Sequence, residues 1–268
     1  MFKKWITTSI TIEDLSARTC SRNLRRHFDL FLSKPPAPKK LDQQKQIYLK
    51  VDGTYFRRWG CALCFKENGK IILWDFVERE NYFNYCKNIL KIKELGYCVI
   101  GITSDWHGSI VSCAKTLLPN IPHQRCLVHT KRLCQTLLTK RPETQAGQDL
   151  LSLVKELTNV KTDNDKKVWI LWLGRFKKRY EDLLNERTYS SDGKHWWFTH
   201  RNIRRVFRTL DSSIDNLFLY LEYPNLSSNT NDLEAEFTHL KQKLSIHKGL
   251  KRSRRINFIK WYFYFKSI

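Results

Sequence analysis

The sequence predicts an α/β protein built on a mixed sheet, with a large all-helical insertion and a small N-terminal helical module. Three observations predict it. Between residues 46 and 129, short β-branched runs alternate with segments of helical period. From 130 to 228 the apolar period is almost wholly helical. The first 33 residues read as two short helices before a proline-rich break.

In chain order, Thr11–Arg18 reads as a helix and Thr19-Cys20 as a turn. Ser21 is a candidate N-cap for a second helix from Arg22 to Phe31. That helix places Leu24, Phe28 and Phe31 on one face and Arg22, Arg25, Arg26 and His27 outside it. Residues 1–33 therefore fit a helix-turn-helix whose basic second helix enters a DNA groove, and equally a plain helical hairpin. Residues 34–45, with Pro35-Pro36-Ala37-Pro38, form a stiff linker.

The first part of the core is expected over 46–135. Ile47–Val51, Gly60–Phe65 and Ile71–Val77 read as strands, the last two joined at Asn68-Gly69, a strong hairpin signal. Tyr82, Cys86, Ile89 and Ile92 mark a crossover helix, and Tyr97–Thr103 a strand buried on both faces. A helix near Ser109–Leu118 and a further strand segment, His123–His129, follow. Three antiparallel strands, helix, strand, helix, strand is the opening of a ribonuclease H-like mixed sheet. Residues 136–228 form the helical insertion, with stripes Leu150/Leu153/Val154/Leu157, Trp169/Trp172/Leu173/Phe176/Tyr180 and Ile203/Val206/Phe207/Leu210. Residues 229–268 supply a final helix near Asp232–Leu244 and a basic tail.

Composition narrows the function. The chain has 268 residues, 41% of them hydrophobic, which excludes a disordered basic tail as the whole protein. Its 48 Lys and Arg against 26 Asp and Glu leave a net charge of +22, so a polyanion, nucleic acid first, is the expected partner. No apolar run approaches the ~20 residues of a membrane span, and residues 1–8 lack a secretory signal. Eight irregularly spaced cysteines read as reduced thiols, so a cytoplasmic protein is expected. Cys61-x-x-Cys64 has zinc-knuckle spacing, but i and i+3 on a strand face opposite sides, so buried structural thiols are expected.

Asp52 and Asp105 each lie at the end of an apolar strand. Each alone fits a turn or strand end. Together they fit a pair of converging carboxylates, which need a cation such as Mg²⁺. A third carboxylate is expected from the last helix. Leu233, Phe237, Leu240 and Leu244 mark its buried face, and Glu234, ~100° from Leu233, flanks it. Acids in that first turn also suit the helix dipole. Trp196 and Trp197 fit either core and interface packing or a platform for an unpaired base.

Four segments in order then carry a resemblance: Val51-Asp52-Gly53-Thr54, Thr103-Ser104-Asp105-Trp106-His107-Gly108, Gln124-Arg125-Cys126-Leu127-Val128-His129 and Thr230-Asn231-Asp232-Leu233-Glu234. They resemble the signature set of DDE transposases of the Mutator-like group, bacterial insertion-sequence type, and residues 196–201 and 240–250 are similar to bacterial members. The resemblance covers about residues 46–265. It implies a metal triad of Asp52, Asp105 and Glu234 holding Mg²⁺ or Mn²⁺, two ions, with Cys126 and His129 forming the group's C-x-x-H motif. It implies strand cleavage at element ends, 3′-OH transfer into target DNA, and a homodimer or larger assembly on double-stranded DNA. The cell expected is bacterial or archaeal. Ala235 stands where these enzymes often have Gly. Bacterial relatives often carry a zinc ribbon before the helix-turn-helix, for which this start leaves no room. Expected DNA contacts are Arg22, Arg25 and Arg26 on the second helix and Lys251, Arg252, Arg254 and Arg255 in the tail. Two alternatives remain beside the transposase: a ribonuclease H-like nuclease or resolvase without strand transfer, and a non-catalytic DNA-binding protein derived from a transposase.

Overall fold

The computed structural model describes residues 1–16, 20–247 and 249–268. The chain is α/β with a mixed five-stranded sheet, whose four longer strands run in the order β3-β2-β1-β4. These are β1 (Lys45–Tyr55), β2 (Cys61–Glu67), β3 (Lys70–Val77) and β4 (Tyr97–Ser104). Strands β1, β2 and β3 are antiparallel neighbours, whereas β1 and β4 are parallel. The β2–β3 turn is Asn68-Gly69, both at positive φ (40° and 82°), as a two-residue hairpin turn with the sheet's own twist requires. No helix among the described residues is long and apolar enough to cross a membrane.

Contacts divide the chain into two compact units, residues 1–121 with 230–268, and residues 122–229. In the first unit each sheet face buries its own apolar cluster, because alternate residues of a strand point to opposite sides. Ile47, Leu49 and Val51 of β1, with Cys61, Leu63 and Phe65 of β2, pack against Tyr85, Ile89 and Ile92 of α4 (Tyr82–Glu94) and Ile110 of α5 (Gly108–Leu117). Ala62 and Cys64 face the other way, toward Leu233, Phe237, Leu240 and Leu244 of α13 (Asn231–Ile246) and Phe258, Ile259 and Tyr262 of α14 (Arg252–Ser267). Cys61 and Cys64 are thus buried on opposite faces, as the strand period predicts for structural thiols.

The N-terminal helices α1 (Phe2–Thr7), α2 (Ile12–Leu15) and α3 (Ser21–Ser33) join that second cluster through Phe2, Trp5, Ile6, Leu24, Phe28 and Leu32. Thr11 caps α2 by accepting from the Asp14 N–H, with the Asp14 carboxylate returning the bond. Of the predicted helix over 11–18, Ile12–Leu15 form α2 and Ser16 is its C-cap; Ala17 and Arg18, with Thr19 of the predicted turn, lie outside the described residues. Ser21 is the first helical residue of α3, and Cys20 occupies the N-cap position. Leu32 replaces Phe31 on the buried face, since i+4 and i+8 from Leu24 complete the stripe.

The basic tail is a correction. Residues 252–267 form α14, and its apolar side is part of the core. It also closes the end of α3, where backbone carbonyls lack intrahelical partners. Asn257 Nδ2 donates to Leu32 O at 2.7 Å, and Trp261 Nε1 to Phe31 O at 3.0 Å. Lys248 of the tail lies outside the described residues.

The second unit starts with the short strand β5 (His123–Arg125) and is otherwise mainly helical: α6 (Leu127–Leu138), α7 (Gln145–Glu156), α8 (Asp163–Arg179), α9 (Glu181–Asn185), α10 (Arg201–Asp211), α11 (Ile214–Leu217) and α12 (Leu219–Glu222). Its core unites the three predicted stripes, except that Trp172 is half-exposed. Two expectations fail here. The strand ends at Arg125, so His129 stands on a helix. A hairpin of β6 (Arg187–Tyr189) and β7 (Trp196–Phe198) interrupts the helical run. Trp196 and Trp197 are 47% and 49% exposed, with the Arg187 guanidinium 4.1 Å from the Trp196 ring centre. Exposure removes the core reading of this pair.

Candidate metal site

Register explains why distant carboxylates approach one another. Asp52 is a Cα partner of Cys64, and directly opposed residues share a face. Cys64 belongs to the cluster that α13 covers, so Asp52 points to the side on which α13 lies. It sits within β1, three residues before the strand ends, and is buried at 4% exposure. Its Oδ1 accepts from the Gly53 N–H at 2.8 Å.

Glu234 comes to the same place through the phase of α13. Leu233 is fully buried, and Glu234 beside it is half-buried, as a position flanking the apolar face should be. A carboxylate oxygen of Asp52 and one of Glu234 lie within 4.8 Å of each other. Two oxygens on one Mg²⁺ at ~2.1 Å are at most about 4.2 Å apart. The pair is therefore within about half an ångström of the spacing at which both oxygens can share an ion. This pair could hold a metal ion.

Lysines on neighbouring strands anchor the start of α13. Lys50 Nζ lies 3.2 Å and Lys66 Nζ 3.1 Å from the Asp232 carboxylate, and Lys66 is itself buried. Burial opposes ionisation of Asp232, but the two ammonium groups outweigh it and hold its carboxyl below the usual range. Asp232 is thus a clamp between helix and sheet, leaving Glu234 directed at the site.

Asp105 follows β4 directly. Val51 and Ser104 are register partners in the parallel pair, so Asp52 and Asp105 take equivalent next positions on adjacent strands. Adjacent strands are ~4.8 Å apart. Asp105 does not join the other two carboxylates within 4.8 Å. Its Oδ1 accepts from the His107 N–H at 2.9 Å, which fixes the turn into α5.

Glu80 is the residue that motif reading misses. It precedes α4 and accepts from the Tyr85 hydroxyl at 3.3 Å and the Cys61 thiol at 3.4 Å. Burial first, and the charge of Asp105 second, push its carboxyl pKa up. Its closeness to β1 depends on Gly53, where a Cβ would lie 1.8 Å from Glu80 Oε1. Nothing in the spacing of Val77-Glu78-Arg79-Glu80-Asn81 announces this, but a glycine directly after Asp52 in a strand is a signal of close approach.

The other expected residues are distributed as follows. Cys126, fully buried, is the N-cap residue of α6, and His129 lies in its first turn, half-buried, both in the second unit. Arg22, Arg25 and Arg26 are exposed on α3, Arg25 paired with Glu13. Lys251 and Arg252 are exposed at the start of α14. Arg254 pairs with Asp29 at 3.2 Å, and the Arg255 guanidinium lies 4.8 Å from the Trp59 ring centre.

The fold and site define an α/β protein with an acidic, cation-competent cluster at the end of a parallel strand pair. Compared with known proteins, the chain matches no family model and no curated protein.

Proposed function

We propose that the chain is a DDE-type DNA transposase with a ribonuclease H-like core. The observation that carries this is the approach of Glu234 on the last core helix to Asp52 on β1. It is supported by the strand order β3-β2-β1-β4 with β1 parallel to β4. Asp52, Asp105 and Glu234 would hold the ions, two of Mg²⁺ or Mn²⁺. Bound there, such ions supply charge stabilisation to a phosphoryl group and make water a stronger nucleophile. Asp52 and Glu234 orient from opposite elements, and the Asp232 clamp limits how far α13 can drift from the sheet. Water attack at phosphorus breaks the strand and leaves a 3′-OH at the element end. That hydroxyl then attacks a target phosphorus in line, and the departing 3′ oxygen of the target takes up the proton. The partner is double-stranded DNA, engaged by a homodimer or larger assembly, with the expected arginines of α3 and the tail on its phosphates.

A strand-transfer assay tests the reading. It uses purified protein, Mg²⁺ or Mn²⁺, DNA flanking the protein's own gene, and the Asp105→Asn variant as control. Joined products that vanish in the variant are expected. Cutting without joining would establish a nuclease or resolvase in its place. Binding with neither would leave a non-catalytic DNA-binding protein and overturn the catalytic claim.

A further inference from the structure

The second unit carries a concentration of cations that no ion pair neutralises. On α10 the apolar stripe Ile203/Val206/Phe207/Leu210 is buried, and Arg201, Arg205 and Arg208 stand on the opposite, exposed side at i, i+4 and i+7. Every cation of this helix is arginine, the side chain whose planar fork matches a phosphate. Among the described residues, no ion pair engages these three or Arg187 of β6. Of the acids nearest in sequence, Glu186 pairs with His200 at 3.2 Å, Asp192 accepts from the Lys194 N–H at 3.1 Å within the hairpin turn, and Asp211 ends the helix.

On the hairpin side, rings and not acids hold the guanidinium groups. That of Arg187 lies 4.1 Å from the Trp196 ring centre, and that of Arg204 lies 3.7 Å from the Phe198 ring centre. Arg187 and Phe198 are register partners across β6 and β7, so both contacts lie on one face of the hairpin. Arg204 Nη1 donates to Leu184 O at 2.6 Å and to Asn185 Oδ1 at 2.9 Å, tying α10 to the end of α9. Burial first, then the charges of Arg208 and Arg187, lower the Arg204 pKa, so helix and hairpin cations lie in one another's field. A guanidinium stacked on a ring still presents its in-plane N–H donors at its edge. The ring faces so covered are closed to a base.

Mutual repulsion of this kind is relieved when a polyanion binds. We propose that Arg187, Arg201, Arg205 and Arg208 form a phosphate-binding surface for duplex DNA, one that holds the backbone and reads no base. The choice of DNA as the polyanion rests on the transposase reading; the arrangement of the arginines does not.

Fluorescence anisotropy on the full chain tests it, with a labelled 15-base-pair DNA duplex in EDTA between 50 and 300 mM salt. Arg201→Ala, Arg205→Ala and Arg208→Ala together should lower the slope of log affinity against log salt by up to about 2.7, at about 0.9 for each phosphate no longer neutralised. Lys167→Ala, Lys177→Ala and Lys178→Ala together remove the same charge from exposed positions on α8 of the same unit, and should lower it by less than about 1. Arg187→Lys keeps the charge without the fork. It should weaken binding about tenfold, the scale of one charge-assisted hydrogen bond, and leave the slope nearly unchanged. Thermal melts verify that all three variants are folded. A full slope in the arginine variant would overturn the proposal. So would an equal loss in the lysine variant, wild-type affinity in Arg187→Lys, or tighter binding of a duplex RNA or of dT15 than of the duplex DNA. Because EDTA removes the carboxylate site from the readout, a protein that fails the strand-transfer assay can still pass this one, and the reverse.

Discussion

Gly53 lets two carboxyl groups lie against neighbouring positions of one strand. Asp52 points to the α13 face, and Gly53 exposes the backbone of the opposite face to Glu80. Glu80 cannot simply swing away, because Tyr85 and Cys61 both donate to Oε1. A methyl group at 53 would meet that oxygen at 1.8 Å and the Cys61 sulfur at 3.1 Å. Gly53→Ala is therefore expected to cost about 1–3 kcal/mol, the range for overpacking. In a Glu80→Ala background the collision partner is gone, so most of that cost should disappear, giving a coupling of about 1–2 kcal/mol. Urea melts of the four proteins in EDTA measure it. Strictly additive losses would show that Glu80 does not rest on Gly53.

Among the elements, the C-terminal end of α13 shows how local packing sets a pH dependence. His247 lies there between Trp5 of α1 and Phe258 of α14, ring centres 4.5 and 5.2 Å away. Burial lowers its pKa below 6.5, against a smaller opposing contribution from its hydrogen bond to the Trp5 backbone. The folded chain thus takes up this proton less readily than the unfolded one. Stability from neutral His247 is fully present above about pH 6.5. It falls as pH drops from there through the lower folded value. His247→Phe should flatten urea stability between pH 7 and 5 relative to wild type; an unchanged slope would assign the loss to other groups. Much of this architecture is legible in the sequence. Period-2 runs and Asn68-Gly69 mark β1 to β3, and the spacing of Leu233, Phe237, Leu240 and Leu244 sets the phase of α13 and so the half-burial of Glu234. Other parts are illegible for physical reasons. β6 and β7 are three-residue strands without a period, exposing Trp196 and Trp197. The basic first turn of α14 masks the apolar pairs Phe258/Ile259 and Tyr262/Phe263 that bury it. Glu80 reaches Gly53 only through tertiary packing, which no local motif encodes.

For the molecule as a whole, a charge of +22 means that some cations must be structural and others open to a polyanion. Geometry sorts five of the seven expected DNA contacts. Arg254 is committed to Asp29 at 3.2 Å, and Arg25 to Glu13. Arg22, Arg26 and Lys251 are exposed. Each phosphate neutralised contributes about 0.9 to the slope of log affinity against log salt on duplex DNA. If α3 meets DNA, Arg22→Ala with Arg26→Ala should lower the slope by up to about 2 and leave the melting temperature nearly unchanged. Arg254→Ala should do the reverse. It should remove a surface ion pair worth at most about 1 kcal/mol and change the slope little. Affinities of both variants for one duplex between 50 and 300 mM salt, with melting curves beside them, separate the two classes. A full slope in the Arg22/Arg26 variant would place the DNA elsewhere than α3. A large slope loss in Arg254→Ala would mean that the Asp29 pair opens to take a phosphate, making α14 part of the DNA surface as well as of the core.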